Sequence, residues 1–352
     1  MATYDGLIEA LGLGDWCGGG KTDGPMTMAE LMARANNGGG AAAAEGASGP
    51  STPLMQTPFP SLDALNKSCA AIPRSRDMTE AVEQGFLNIK DPLKVVLDPV
   101  TQPLSWMLDW ALVGFQAVPW FIMIPALIAI TWFATKKLGV TALVAFSFIF
   151  MAFIDYYDDA IKTLSIIFVC TVIAVLLGVP IGIAMSRSNV LQRMIIPILD
   201  MLQTLPTFVY LVPLIFLFSV TESKLYGIAI ILYAIVPVIR LTDLGIRLVD
   251  KDVIEAADAF GMSSRQKLWG VQVPLALPNI MAGINQTIMM SLAMVVIASL
   301  VSAPGLGVKV LAGIRNLELG VGLVAGFCIV LLAVLLDRST KAALGRIDTS
   351  AR

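Results

Sequence analysis

LSIIFVCTVIAVLLGVPIGIAM, residues 164–185, decides the fold. The stretch carries no charged residue, and about 20 apolar residues are what a helix needs to cross the hydrocarbon core of a bilayer. The chain as a whole agrees: of its 352 residues 57% are hydrophobic and 14% charged, with a mean hydropathy of +0.79. A soluble domain is about 45–50% apolar and about 25% charged. A water-soluble globule could not bury this excess, so the sequence reads as an all-α, polytopic membrane helical bundle. The net charge of −2, with no basic tail, leaves no footprint for a phosphate backbone and excludes nucleic-acid binding.

Working outward, apolar runs recur near 113–135, 138–154, 198–219, 224–242, 275–302 and 318–337, which with 161–186 predicts about seven spans. The first two are separated only by Lys136, Lys137 and Leu138 and read equally as one broken element. The chain divides near residue 100. Residues 1–100 form a polar extension with a low-complexity linker at Asn36–Pro50, and 101–345 form the membrane domain. Between Asp77 and Trp110, apolar residues recur at helical spacing, interrupted by Pro92, Pro99 and Pro103. Short amphipathic helices on the membrane surface, anchored by Trp106 and Trp110, and a small soluble cap fit this pattern equally.

Placing the Lys136–Lys137 turn in the cytoplasm puts Arg187, Arg193, Arg240, Arg247, Lys251, Arg265, Lys267, Arg338, Lys341, Arg346 and Arg352 on the same side. Only Lys162, Lys224, Lys309 and Arg315 fall opposite, with Asp155, Asp158 and Asp159. Basic residues collect on the cytoplasmic side of membrane proteins, so the reading is an N-terminus outside and a C-terminus inside a bacterial inner membrane. In an outside, oxidising compartment Cys17 and Cys69 could pair. The favoured expectation is two unpaired thiols, and Cys170 and Cys328 read as small apolar residues within spans.

Catalytic candidates are lacking. There is no histidine, the commonest general base and metal ligand, and no cysteine spacing suits a metal. Neither a catalytic nor a metal site is expected. Asp15–Thr22, DWCGGGKT, resembles a phosphate-binding loop, but Asp15 stands where the first glycine belongs and no apolar strand precedes it. The chain therefore carries no ATP site of its own.

The informative loop is 243–274, DLGIRLVDKDVIEAADAFGMSSRQKLWGVQVP. Its charges are interleaved with Val253, Ile254, Ala257, Phe260, Leu268 and Trp269 at amphipathic spacing, with Gly261 as a breaker and Ser263 or Ser264 as a cap for a second helix. Exposed Phe260 and Trp269 need a partner to cover them, and Arg265 and Lys267 either pair with acids on it or stay solvated.

Glu255-Ala256-Ala257, Gly261 six positions after the glutamate, then Val273-Pro274 and Pro278, resemble the EAA loop of type I ABC importer permeases; Val271 and Val273 stand where that family carries aliphatics, and the proline is kept. LDMLQTLPTFVYLVPLIFLF (199–218), AIVPVIRLTDLGI (234–246), LPNIMAGINQTIMMSLAMVVIASL (277–300) and LLDR (335–338) resemble the ProW-type permeases of glycine betaine/proline betaine importers over roughly residues 100–345. The resemblance implies a permease homodimer in the lipid membrane. Each copy would dock one ATP-binding subunit that holds ATP and Mg, and a periplasmic binding protein would deliver a betaine-like quaternary ammonium solute. Carried over by position, Glu255, Ala256, Ala257 and Gly261 form the coupling element, with Phe260, Met262 and Trp269 as its apolar knob.

Polar groups inside spans are functional suspects: Asp200, Gln203, Asn285 and Gln286. Arg240 is expected to snorkel to the inner surface. Aromatic faces and soft methionines suit a quaternary ammonium, which makes Phe208, Tyr210, Asn285, Gln286 and Met289 the candidate path, with Phe208, Tyr210 and Phe216 on one span; ordinary apolar packing is the blander reading. Gly178–Gly182 and Gly322–Gly326 are small-residue pairs that bring helices close. Rival readings are a permease for choline, trimethylamine N-oxide, taurine or an amino acid, and an ion-coupled secondary transporter. The latter needs inverted repeats and intramembrane acids that the sequence does not display.

Overall fold

The computed structural model describes Cys17, residues 61–69 and residues 71–350. The glycine-rich DWCGGGKT segment other than Cys17, and the Asn36–Pro50 linker, lie outside the described residues. The chain divides into two compact units, Met1–Asp91 and Pro92–Arg352.

In the first unit, α1 (Leu62–Ser68) ends at Cys69, whose N–H donates to the Leu65 carbonyl at 2.7 Å. Contrary to the favoured expectation, Cys17 and Cys69 are joined by a disulfide across a separation of 52 residues. Spacing along the chain carries no information about separation in space, which is why the pairing was not legible.

Helix α2 (Ser75–Ala117) is a single 43-residue helix with Pro92, Pro99 and Pro103 inside it. Shorter pieces were expected because each proline removes one helical donor. Here the three fall at spacings of one and two helical turns, so the freed carbonyls share a face. The division between the units falls within this helix.

The second unit continues through α3 (Trp120–Thr135), α4 (Leu138–Phe153), α5 (Tyr157–Arg187), α6 (Asn189–Thr204), α7 (Leu211–Leu217) and α8 (Ser223–Arg247). After these come α9 (Lys251–Ala259), α10 (Ser264–Lys267), a π turn (Leu268–Gln272), α11 (Val273–Ala298), α12 (Leu306–Arg315) and α13 (Leu319–Ser350).

Glycines set the close approaches in the bundle. A Cβ on Gly178 would sit 2.4 Å from Val238 Cγ1, and one on Gly182 would sit 2.7 Å from the Ile239 carbonyl oxygen. At the other end of the seam, Cys170 Sγ lies 4.0 Å from the Gly227 carbonyl. Rising numbers on α5 therefore meet rising numbers on α8, so the two helices are parallel. Gly283 packs on Val238 and Leu241, and Gly245 packs on Asn279 and Ala276, so α11 runs antiparallel to α8. Asn285 bonds Asp337 and Thr340, which ties α13 to α11. The core includes Phe148, Met151, Ile166, Leu225, Ile230, Met294 and Leu332, all fully buried, and Cys170 and Cys328 pack within it as expected. Of the second small-residue pair, Gly322 meets Gly313 on α12, whereas Gly326 has open space beside it.

The expectation of about seven spans is not met. Among the described residues, four helices are long and apolar enough to cross a membrane: Tyr157–Arg187, Ser223–Arg247, Ser264–Val301 and Leu319–Ala343. A fifth results if Ser75–Ala117 and Trp120–Thr135, bent by 107° at their junction, form one broken span. Helix α4 is a shorter apolar helix of 16 residues, about 24 Å long against a core of about 30 Å. The run near 198–219 breaks at Leu205–Tyr210 into α6 and α7. Because α5 and α8 are parallel, the α6–α7 segment must return the chain from one end of the bundle to the other.

The bundle thus has two ends. The loop end carries the C-termini of α5 and α8, residues 248–272, and the last turns of α13. The cap end carries the N-termini of α5 and α8, helix α12 and the start of α13.

Candidate functional site

The projection at the loop end is built by strong local signals. Asp250 caps α9, its carboxylate accepting from the Asp252 N–H at 3.0 Å. The helix closes where Phe260 N–H donates to the Ala256 carbonyl at 3.0 Å and Met262 N–H to the Ala257 carbonyl at 3.1 Å. Gly261 between them has φ +73°, the left-handed conformation that glycine adopts without a Cβ penalty. Ser263 then opens α10 with a reciprocal capping box: its backbone N–H donates to Gln266 Oε1 at 2.9 Å, and its Oγ accepts from the Gln266 N–H at 3.4 Å. Helix, left-handed glycine, capped helix is the arrangement the sequence predicts.

The exposure pattern sorts these residues by role. Phe260 is 88% exposed and Trp269 is 58% exposed, whereas Ala257 and Leu268 are buried. Glu255 and Ala256 are exposed, and Met262 is half-buried against Gly270. Adjacent positions of any helical turn point in different directions, and here Leu268 packs with Ile246, Ala276 and Ile280 while the indole of Trp269 is left outside. Leu268 is therefore the anchor of the projection, a role distinct from the apolar knob in which Phe260 and Trp269 belong. The π turn passes directly into α11, so the projection and that span are mechanically continuous. Lys267 does not reach outward; its Nζ pairs with Asp258 at 2.5 Å, stapling α10 to α9.

The candidate path residues are distributed differently from expectation. Phe208 and Tyr210 lie in the break between α6 and α7, not on one span with Phe216, because Pro206 ends the helical run. Tyr210 does reach α11, its hydroxyl donating to Met294 Sδ at 3.6 Å. That is five positions beyond Met289, or about 7.5 Å along a helix. The Asn285 amide donates to Asp337 at 3.1 Å and accepts from the Thr340 hydroxyl at 2.5 Å, so it pins α13 to α11. Its neighbour Gln286 is exposed. Arg240 does not simply snorkel; its guanidinium pairs with Asp200 on α6.

An all-helical bundle with a stapled helix–glycine–helix projection, continuous with a long span, defines a permease class. The chain belongs to the family of binding-protein-dependent transport system inner membrane components, whose pattern matches residues 174–348. It is similar to the "Glycine betaine/proline betaine transport system permease protein ProW" of Escherichia coli (strain K12), 40% identical, covering 77% of this chain and 82% of that protein. The "Glycine betaine transport system permease protein OpuAB" of Bacillus subtilis (strain 168) is 39% identical, covering 69% and 86%. The "Glycine betaine/carnitine transport permease protein GbuB" of Listeria monocytogenes serotype 1/2a is 37% identical, covering 74% and 89%.

Proposed function

We propose that this chain is the membrane-spanning permease of an ATP-driven importer for glycine betaine-like quaternary ammonium solutes. The observation that carries the reading is the projection itself. It is rigid in its own hydrogen bonds yet presents Phe260 and Trp269 to solvent, a combination suited to insertion into a groove on another protein. An ATP-binding subunit is that protein, and it supplies ATP and Mg. Glu255, Ala256, Ala257 and Gly261 shape the inserted helix, and Phe260, Met262 and Trp269 fill the groove. The substrate class rests on relatives at 37–40% identity whose names specify glycine betaine.

The loop end faces the cytoplasm in this reading, with Arg187, Arg193, Arg247, Arg338 and Lys341 gathered there. The cap end and the N-terminal extension then face the periplasm, where a substrate-binding protein delivers the solute. The Cys17–Cys69 disulfide suits that oxidising side. Two copies form the pathway, and exposed Gln286 on α11 together with Phe208, Tyr210, Asn285 and Met289 are its proposed contacts with solute. Import proceeds by two packings of one bundle, shifted by ATP below and loaded binding protein above.

The test is co-purification with the ATP-binding subunit, followed by binding-protein-dependent uptake into vesicles across glycine betaine, proline betaine, carnitine, choline and trimethylamine N-oxide. Uptake of glycine betaine only when ATP and the binding protein are both present is the expected result. Uptake driven by an ion gradient without the ATP-binding subunit would overturn it.

A further inference from the structure

Where α8 meets the projection, one side chain gathers three helices. The Arg247 Nε donates to Asp243 Oδ1 at 2.9 Å, one terminal nitrogen to Asn189 Oδ1 at 2.8 Å, and the other to the Met185 carbonyl at 2.7 Å. The second Asp243 oxygen accepts from Gln192 Nε2 at 2.7 Å. Asp243 is buried, with 6% exposure, and Met185 is buried beneath it. The Met185 carbonyl belongs to the last turn of α5, where it also accepts from the N–H of the capping Ser188 at 3.2 Å, and Asn189 and Gln192 lie in the first turn of α6.

Arg247 is also the last residue of α8, and only Leu248, Val249 and Asp250 separate it from α9. The projection therefore has two roots. Leu268 packs its far end onto α11, and Arg247 ties its near end to the α5–α6 junction. The α6–α7 segment that starts at that junction is the broken return segment of the bundle.

We propose that Arg247 is a positioning residue that transmits movement of the coupling projection to the α5–α6 junction. The chemistry favours a discrete linkage over a soft one. A guanidinium offers a planar fork of donors that can hold an acid, an amide and a backbone carbonyl together, and the half-buried pair resists partial displacement because withdrawing Arg247, itself 30% exposed, leaves the buried Asp243 carboxylate without its cation. Apolar contact alone would let the projection slide against α6. This inference rests on the importer reading above.

The experiment uses the full-length permease with its ATP-binding subunit and binding protein in lipid vesicles, measuring glycine betaine uptake and ATP hydrolysis in the same preparation. In Arg247→Met, uptake per ATP hydrolysed is expected to fall roughly tenfold while hydrolysis stays within about twofold of wild type, a loss of the size of typical couplings between sites. Arg247→Lys keeps the charge beside Asp243 but not the fork, and should fall between the two. Asn189→Ala removes a single arm at an exposed position and carries the same test should Arg247→Met fail to reach the membrane: a lowered ratio supports the proposal and an unchanged ratio overturns it. Proportional loss of uptake and hydrolysis in Arg247→Met, the mark of a merely structural role, also overturns it, as does an unchanged ratio in both Arg247 variants. A wild-type complex without ATP-dependent uptake is a separate result that fails the importer reading, and it is read before any variant.

Discussion

At the cap end, Lys224 is 3% exposed and its ammonium is shared by Asp98 and Glu222, each at 2.7 Å, over the ring of Phe218. At the loop end, Phe260 is 88% exposed at the tip of a turn. The same contrast runs through the neighbouring groups. Above, Thr163 accepts from the Leu306 N–H at 2.9 Å and so caps α12, Ser223 bonds Asp109, and Leu104 and Leu108 fill the space beside Gly227. Below, the projection satisfies its backbone internally through Asp250, Gly261 and Ser263 and turns its largest apolar groups outward. A surface whose polar groups are consumed inside the chain is scaffold. A surface that is locally rigid yet apolar at its tip is made to be covered.

Removing the cap-end ion should therefore cost stability, and removing the loop-end tip should cost only a partner. Lys224→Met leaves Asp98 and Glu222 facing each other without a cation and removes the ionic link between α2 and α8, while Ser223–Asp109 and the packing of Leu104 and Leu108 on Gly227 remain. The expected loss is about 3 kcal/mol of folding free energy, at the low end for a broken buried pair because both carboxylates are about a third exposed. Denaturant titration in detergent measures it, and uptake per ATP in the protein that remains folded should be unchanged. Phe260→Ala is the mirror image. Unfolding should be unaffected, while affinity for the ATP-binding subunit drops by about 2 kcal/mol, roughly thirtyfold, as for an aromatic anchor in a partner's pocket. Equal destabilisation by both variants would erase the distinction between the two ends.

A smaller effect sharpens the same contrast. Gly261→Val places a β-branched residue at φ +73°, at a cost of about 1–2 kcal/mol, with nothing nearby for the new side chain to strike. Gly261→Asn tolerates that conformation better. Valine should weaken assembly with the ATP-binding subunit and asparagine largely retain it, with the same unfolding midpoint in both, since the turn lies outside the packed bundle.

How much of this could be read from residues alone differs between the ends. The second half of the projection is local: Gly261 and Ser263 signal within two positions of each other, so the turn and the capped second helix were legible, whereas the Asp250 cap of the first helix was not singled out. A close helix approach at Gly178 and Gly182, which mark one helical face, was also legible, although not that α8 is the helix that meets them. The span count was not, because hydropathy averages across breaks. Pro180 lies within α5 and Pro206 ends α6, yet both read as prolines in apolar runs. What separates them is whether neighbouring helices hold the chain straight, which is a tertiary fact. The Lys224 cluster escaped for a related reason: Asp98 stands 126 residues away, and no periodicity announces such a pair. Lys267 was read as either pairing with a partner's acid or staying solvated and instead meets Asp258, because the left-handed turn folds α10 back along α9. Leu268 and Trp269 stand side by side in the apolar pattern, and which of them packs on Ile246, Ala276 and Ile280 is a tertiary fact.

The smallest effect tests whether the projection is a separate unit of stability. Ser263→Ala removes one side of the capping box, and such caps contribute about 1 kcal/mol. Were the projection part of the cooperative bundle, that loss would lower the global unfolding midpoint. Its internal bonds, however, close within residues 250–267, and its firm attachments to the spans run through Leu268 and Arg247 at its roots. The cap should then act locally: amide exchange at Gln266 and Lys267 speeds up by about fivefold, the protection of α5 and α8 stays the same, and global unfolding does not move. A projection that opens alone can also seat alone in a partner's groove and then pull on its two roots, whereas one that melted with the bundle would have to move as part of it.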